Sequence, residues 1–343
     1  CASTGLTIPS EKVQPKCHEV DRLPMYGMKT WADVFAPRQL LCLLTLAAGI
    51  RGTRAQIAAA GCTGDTAAAI VTCLALVLDR LADWNSALCS WTPEKTGGAK
   101  IGHTFGRQAL PMVWDFAESA VWGEATGSLE LSLDWVFKGL SEAVASDSGA
   151  TVLRGSATAL PWPDASFDSV ITDPPYYDNV GYADLSDFFY VWMKRSIGEL
   201  YPEHFAGDAT PKRSEAVAAA HRHNGNKKRA RESYEAMMVE AFAEAHRVLK
   251  PGAPMLVVYA HKTTLGWATL VEALRKSGFT VTEAWPLDTE MKSRLIAMEA
   301  AALASSVFLV AHKRVEHDAG GYEHHVRPEL DAIVRERVSS LWG

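Results

Sequence analysis

Residues 167–176 read FDSVITDPPY. The first six, Phe167–Thr172, form a short apolar run bounded by turn residues, the pattern of a strand buried in a parallel sheet. Asp173, Pro174, Pro175 and Tyr176 follow directly. In an open α/β sheet, ligands bind beyond the carboxyl ends of strands, so this tetrapeptide is expected at a binding site. Its two prolines remove two N–H donors and hold the chain in an extended turn. The carbonyls are then expected to face outward without competing donors. Asp173 adds a carboxylate acceptor and Tyr176 a flat aromatic face. Such a corner suits a planar ring bearing an exocyclic amine. Asp173 and the Pro174 carbonyl would take the two N–H groups, and Tyr176 would stack on the ring.

The chemistry follows from the electronics of that amine. Its lone pair is delocalised into the ring, which makes it a poor nucleophile. Two acceptors on its hydrogens favour a pyramidal nitrogen and return the lone pair to it. Positive charge grows on the nitrogen as it attacks a methyl donor. Asp173 stabilises that charge more in the transition state than in the ground state. A base in a duplex must first leave the stack to reach such a corner.

Outward from the motif, strands and helices alternate. Asp184–Arg195 is predicted as a helix, with Leu185, Phe188, Phe189, Trp192 and Met193 on one face. Ser233–Leu249 is a second helix, stopped by Pro251-Gly252. Pro254–Tyr259, Phe279–Trp285 and Ser306–Ala311 read as strands, with Leu265–Lys276 a helix between the first two. Thr151–Leu153 is a further short β-type run. The expected class is α/β with a mainly parallel sheet. Upstream, from Thr30 to about Ser146, the pattern is mostly helical. Helices are expected after Pro37, from Asp65 or Thr66 through Leu88, over Leu110–Ser119 and over Leu129–Ala145.

DPPY after a buried strand resembles motif IV of amino-group nucleic-acid methyltransferases. Gly155-Ser156-Ala157, Leu160-Pro161 and Phe167-Asp168 resemble the segment those enzymes place between their third and fourth strands. Arg247-Val248-Leu249-Lys250-Pro251-Gly252 resembles the helix exit before their fifth strand. The stretches 173–195 (DPPYYDNVGYADLSDFFYVWMKR), 26–40 (YGMKTWADVFAPRQL) and 103–118 (HTFGRQALPMVWDFAE) are similar to a narrower set: large adenine-specific DNA methylases with a zinc ribbon and an N-terminal domain of unknown function.

The resemblance implies a class I methyltransferase (Rossmann-like) sheet, incomplete here, with a mainly helical N-terminal region. It implies transfer of methyl from S-adenosyl-L-methionine to N6 of adenine in DNA. N4 of cytosine and RNA are the nearest alternatives, and a non-catalytic nucleic-acid-binding subunit is the rival of another class. It also divides the chain into an irregular linker 1–27, a helical region 28–147, a catalytic half 148–315 with a basic insertion 203–232, and a C-terminal tail 316–343. Such enzymes hold the methyl donor on a glycine-rich turn after a strand. Neither Gly61-Cys62-Thr63-Gly64-Asp65 nor Gly97-Gly98 follows a convincing strand. The chain begins at Cys1 rather than methionine. The donor site is therefore expected from an upstream domain or a partner subunit. Ser156 stands where many relatives carry an aspartate for the cofactor's adenine, and with Asp173 it is the cofactor-binding candidate.

Charge and composition bound the rest. Hydrophobic residues make up 48% and charged residues 22%, which excludes a mostly disordered chain. Net charge is −6, yet Pro211–Glu232 holds Lys212, Arg213, Arg222, Lys227, Lys228, Arg229 and Arg231 against Glu215 and Glu232. That window is +5 and the remainder −11. Those seven cations are the candidate phosphate contacts on DNA. Tyr177, Asp178, Asn179 and Tyr182 follow the motif and are candidates to line the base pocket. His221, His223, His324 and His325 lack ligand spacing with any cysteine or carboxylate. They are read as solvated, and no metal is expected. The longest apolar runs are too short to span a bilayer, and no signal-peptide pattern is present, so a cytoplasmic protein is expected.

Overall fold

The computed structural model describes residues 4–342 except 18, 63, 94–99, 145–148, 178–179, 262, 288–305, 316–323 and 325. The fold is mixed α/β. By its contacts the chain forms two compact units, one made of 1–159, 175–238 and 263–266, the other of 160–174, 239–262 and 267–343.

The first unit is mainly helical. After a short turn α1 (Arg22–Met25) come α2 (Pro37–Ala59) and α3 (Gly64–Trp84). A two-stranded ribbon, β1 (Ser90–Thr92) with β2 (Lys100–Gly102), precedes α4 (Leu129–Val144), and α5 spans Tyr182–Ile197. Pro37 opens α2 where a missing N–H costs nothing, and Gln39 accepts from the Ala36 N–H. The predicted apolar face of α5 is the heart of this core. Phe188 and Trp192 are fully buried and pack edge-on or tilted against Trp31 and Phe35, with ring centroids 5.1–6.1 Å apart.

The N-terminal segment is not a linker. Leu6, Val13, Cys17, Val20 and Leu23 are all buried in the same core. Arg195 on α5 clamps the segment: its guanidinium donates twice to Glu11 at 3.0 Å and to the carbonyls of Thr7 and Ile8 at 2.7 and 2.8 Å. These apolar residues follow no helix or strand period, so their burial leaves no regular trace in the sequence. The helix expected over Leu110–Ser119 is also absent. Its backbone is used outside itself instead: the Leu110 N–H donates to the Glu19 carbonyl and the Ala117 N–H to that of Cys89. Thr151–Leu153 is irregular, with Val152 and Leu153 exposed.

The second unit carries a four-stranded sheet in the order β3 (Val170–Thr172), β4 (Met255–Tyr259), β6 (Ser306–Lys313), β5 (Phe279–Leu287). β3 and β4 are parallel, pairing Val170 with Met255 and Thr172 with Val257. β6 runs antiparallel to both β4 and β5. The expectation of a mainly parallel sheet is thus corrected: two of the three pairings are antiparallel, because the last strand returns between two earlier ones. Met255, Val257 and Tyr259 of β4 are fully buried on one face. Helix α7 (Thr264–Lys276) follows β4, and α8 (Arg327–Trp342) ends the described chain.

Helix α6 (Lys227–Val248) begins inside the basic segment, six residues before the predicted start. Asn226 Oδ1 accepts the Arg229 N–H at 3.0 Å and caps it. At its other end Gly252, with φ of +76°, makes the turn into β4 that a side chain would strain.

Candidate functional site

In the second unit the approach to the motif is held by Arg247. Its guanidinium donates to the carbonyls of Leu160 and Trp162, to Asp164, and to Glu244 on its own helix, all between 2.8 and 3.0 Å. Glu244 also accepts the Leu160 N–H at 2.8 Å. The backbone then zips on: Phe167 N–H to the Val248 carbonyl and Lys250 N–H to that of Phe167. Lys250 adds an ion pair to Asp168 at 2.6 Å. The two sequence segments flanking the motif, LP…FD and RVLKPG, are therefore bonded to each other. Their joint effect is to fix β3, and β3 delivers Asp173. Asp173 is exposed, and no described residue forms an ion pair with it; Pro174 is buried.

The first unit holds the second part of the motif. Pro175, Tyr176 and Tyr177 are half-buried. The Tyr234 hydroxyl on α6 donates to the Pro175 carbonyl at 2.7 Å, and the Tyr177 N–H reaches the same carbonyl at 3.1 Å. This corrects the expectation that the motif's carbonyls lack competing donors: that of Pro175 is already taken. Tyr177 sits in the left-handed region with φ of +46°. It is held there by the Ala218 N–H on its carbonyl and by the Tyr234 ring, edge-on at 5.4 Å. Nothing local to residue 234 in the sequence marks Tyr234 as a partner of residue 175.

The remaining candidates fall in different places. Tyr182 opens α5 and is exposed, while Asp178 and Asn179 lie outside the described residues. Ser156 is exposed, and its hydroxyl closes a local turn onto Thr158 at 2.8 Å. Gly61 lies in the turn between α2 and α3, and Gly97-Gly98, which fall between β1 and β2 in the sequence, lie outside the described residues.

The basic segment splits into two kinds of cation. Lys212 donates to both oxygens of buried Asp187 at 2.7 Å. Arg222 Nη2 lies 2.6 Å from Asp184 and from Glu215. Burial pushes the Asp184 carboxyl up, but His221 and Arg222 outweigh it and hold it at about 2. Lys212 and Arg222 are thus engaged within the unit, which corrects their reading as phosphate contacts. Arg213, Lys227, Lys228 and Arg229 are exposed, and Arg231 pairs with Glu235 one turn along α6. His221 is not solvated as expected: it is half-buried, with Nε2 3.7 Å from Asp184.

No family model matches the chain, and no curated protein matches it. Among solved structures, a Thermus thermophilus protein taken to be a DNA modification methylase aligns with 49% of this chain, at 16% identity and a TM-score of 0.26. The alignment spans 55% of that protein's length. No helix among the described residues is long and apolar enough to cross a membrane.

Proposed function

We propose that this chain is the substrate-side part of an S-adenosyl-L-methionine-dependent methyltransferase acting on N6 of adenine in DNA. The observation that carries the reading is DPPY placed directly after β3, with Asp173 exposed at the strand's carboxyl end. The order strand, helix, two strands from β4 to β6 agrees with the C-terminal half of a class I methyltransferase sheet.

The roles of this chain's own residues follow. Asp173 and the Pro174 carbonyl accept the two amine hydrogens. Tyr176 offers its ring face to the extruded base, a contact worth roughly 1–3 kcal/mol. The Pro175 carbonyl, satisfied by Tyr234, braces the corner rather than binding. The exposed cations Arg213, Lys227, Lys228 and Arg229 meet phosphates. The donor site is ascribed to an upstream domain or a partner subunit.

The second reading is a nucleic-acid-binding subunit without chemistry of its own, since the chain's basic segment leaves Arg213, Lys227, Lys228 and Arg229 exposed. Radiolabelled S-adenosyl-L-methionine with DNA separates the two. The chain alone should transfer little label, and adding the domain or partner subunit that binds the donor should raise transfer to adenine-containing duplexes. Asp173→Ala should then lower it at least tenfold, since a hydrogen bond to a charged group is worth about 1.5–3 kcal/mol. DNA lacking adenine, and RNA, report the alternative targets. Full activity in the Asp173 variant would refute its role, and binding without transfer in every combination would leave the second reading.

A further inference from the structure

Away from the motif, the first unit gathers three metal-type donors from three parts of the chain. Cys17 Sγ, a carboxylate oxygen of Asp184 and a ring nitrogen of His221 all lie within 4.8 Å of one another. Cys17 is fully buried and Asp184 is 1% exposed. Arg222 takes Asp184 Oδ2, but Asp184 Oδ1 has no hydrogen-bond partner among the described residues, and neither has His221 Nε2. A buried polar atom left without a partner is destabilising. The Asp184 oxygen that faces His221 Nε2 is Oδ2, at 3.7 Å, and a cation held there would give that ring nitrogen a partner. The Cys17 thiol donates to Glu19 Oε2 at 2.7 Å, so the sulfur already faces carboxylate oxygens. Gly181 closes another side. A Cβ there would come within 3.2 Å of Asp184 Oδ2 and 3.4 Å of Cys17 Sγ, so any side chain would crowd the donors.

We infer that Cys17, Asp184 and His221 form a binding site for a divalent transition-metal ion, zinc before others. Thiolate, imidazole and carboxylate together suit a borderline ion, whereas magnesium and calcium sites are built from oxygen alone. Binding is a proton exchange: the Cys17 S–H bond breaks, its proton leaves to solvent, and the sulfur's electron pair bonds the metal, with no change of oxidation state. Three protein donors leave the fourth position of a tetrahedral zinc to water. The ion would pin the N-terminal segment, the start of α5 and the 3₁₀ turn Ala220–His223 to one point. The sequence hides this, because residues 17, 184 and 221 meet only in the fold.

The inference is independent of the methyltransferase reading, and its test needs neither DNA nor methyl donor. The untagged full chain, equilibrated with zinc and gel-filtered, should retain one zinc per chain by mass spectrometry of the elements. With cobalt(II) it should show a thiolate-to-metal charge-transfer absorption. Cys17→Ser should abolish that absorption, and His221→Ala and Gly181→Ala should each weaken zinc binding at least tenfold. Circular dichroism checks that each variant is folded. A folded wild-type chain that retains no zinc overturns the site, as does an unchanged cobalt spectrum in Cys17→Ser. Should Cys17→Ser fail to fold, unchanged zinc affinity in both other variants overturns it equally.

Discussion

Arg222 and Arg247 each hold two acids, in opposite surroundings. Arg222 is 13% exposed and faces Asp184 and Glu215 inside the first unit. Arg247 is 31% exposed and holds Glu244 and a solvent-facing Asp164 in the second. The first arrangement is costly to break, because either partner left alone is a charge without water. The second is screened by solvent, and what it contributes is direction: it aims the chain between Leu160 and β3. Similar ion-pair geometry thus acts as a keystone in one unit and as a guide in the other.

The contrast can be broken experimentally. Arg222→Ala should cost about 3–5 kcal/mol in urea unfolding, since it strands two acids in the interior; a loss close to that of a surface pair would erase the distinction. Tyr234→Phe should come next, about 1–2 kcal/mol for the hydroxyl's hydrogen bonds to the Pro175 carbonyl and from the Tyr177 N–H. Arg247→Ala should destabilise less than Arg222→Ala, and its signature should be in pH. Arg247, with the Leu160 N–H, holds the Glu244 carboxyl at about 2, below its ordinary 4.5. That depressed value adds stability above pH 4.5 which fades as pH falls towards 2. The Arg247 variant should therefore lose less on acidification than wild type, measured as unfolding midpoint against pH. The smallest effect on stability should come from replacing Lys227, Lys228 and Arg229 together with Gln, within about 0.5 kcal/mol. That change should instead make the salt dependence of DNA binding shallower, by up to about 3 in the log–log slope. An unchanged slope would make those cations ordinary solvated side chains.

What is legible in the sequence is what repeats along it. The apolar face of α5 and the runs of β4, β5 and β6 have a period or a dense β-type composition, and each stands where that pattern places it; β3 forms at the expected place but spans only Val170–Thr172, and it is not the buried strand its apolar run suggests, since Ile171 is exposed. The start of α6 is harder to see, because Lys227–Arg229 look like a charged loop, although Asn226 carries the capping signal. The N-terminal segment misleads for another reason: irregular chain can be buried without any period when a side chain such as Arg195 satisfies its carbonyls. At the site, the tetrapeptide is legible because its chemistry is local. Tyr234, Arg247's carbonyl contacts and the split of the basic segment are not. They depend on pairs separated by tens of residues, which only the fold brings together.

β3 pairs with β4 on one side, and among the described residues no strand pairs with its other side; Ile171 is 72% exposed. An exposed apolar residue on a strand without a described second neighbour is a place where another extended chain can pair. Ile171→Lys should therefore lower any self-association at high concentration, read by light scattering.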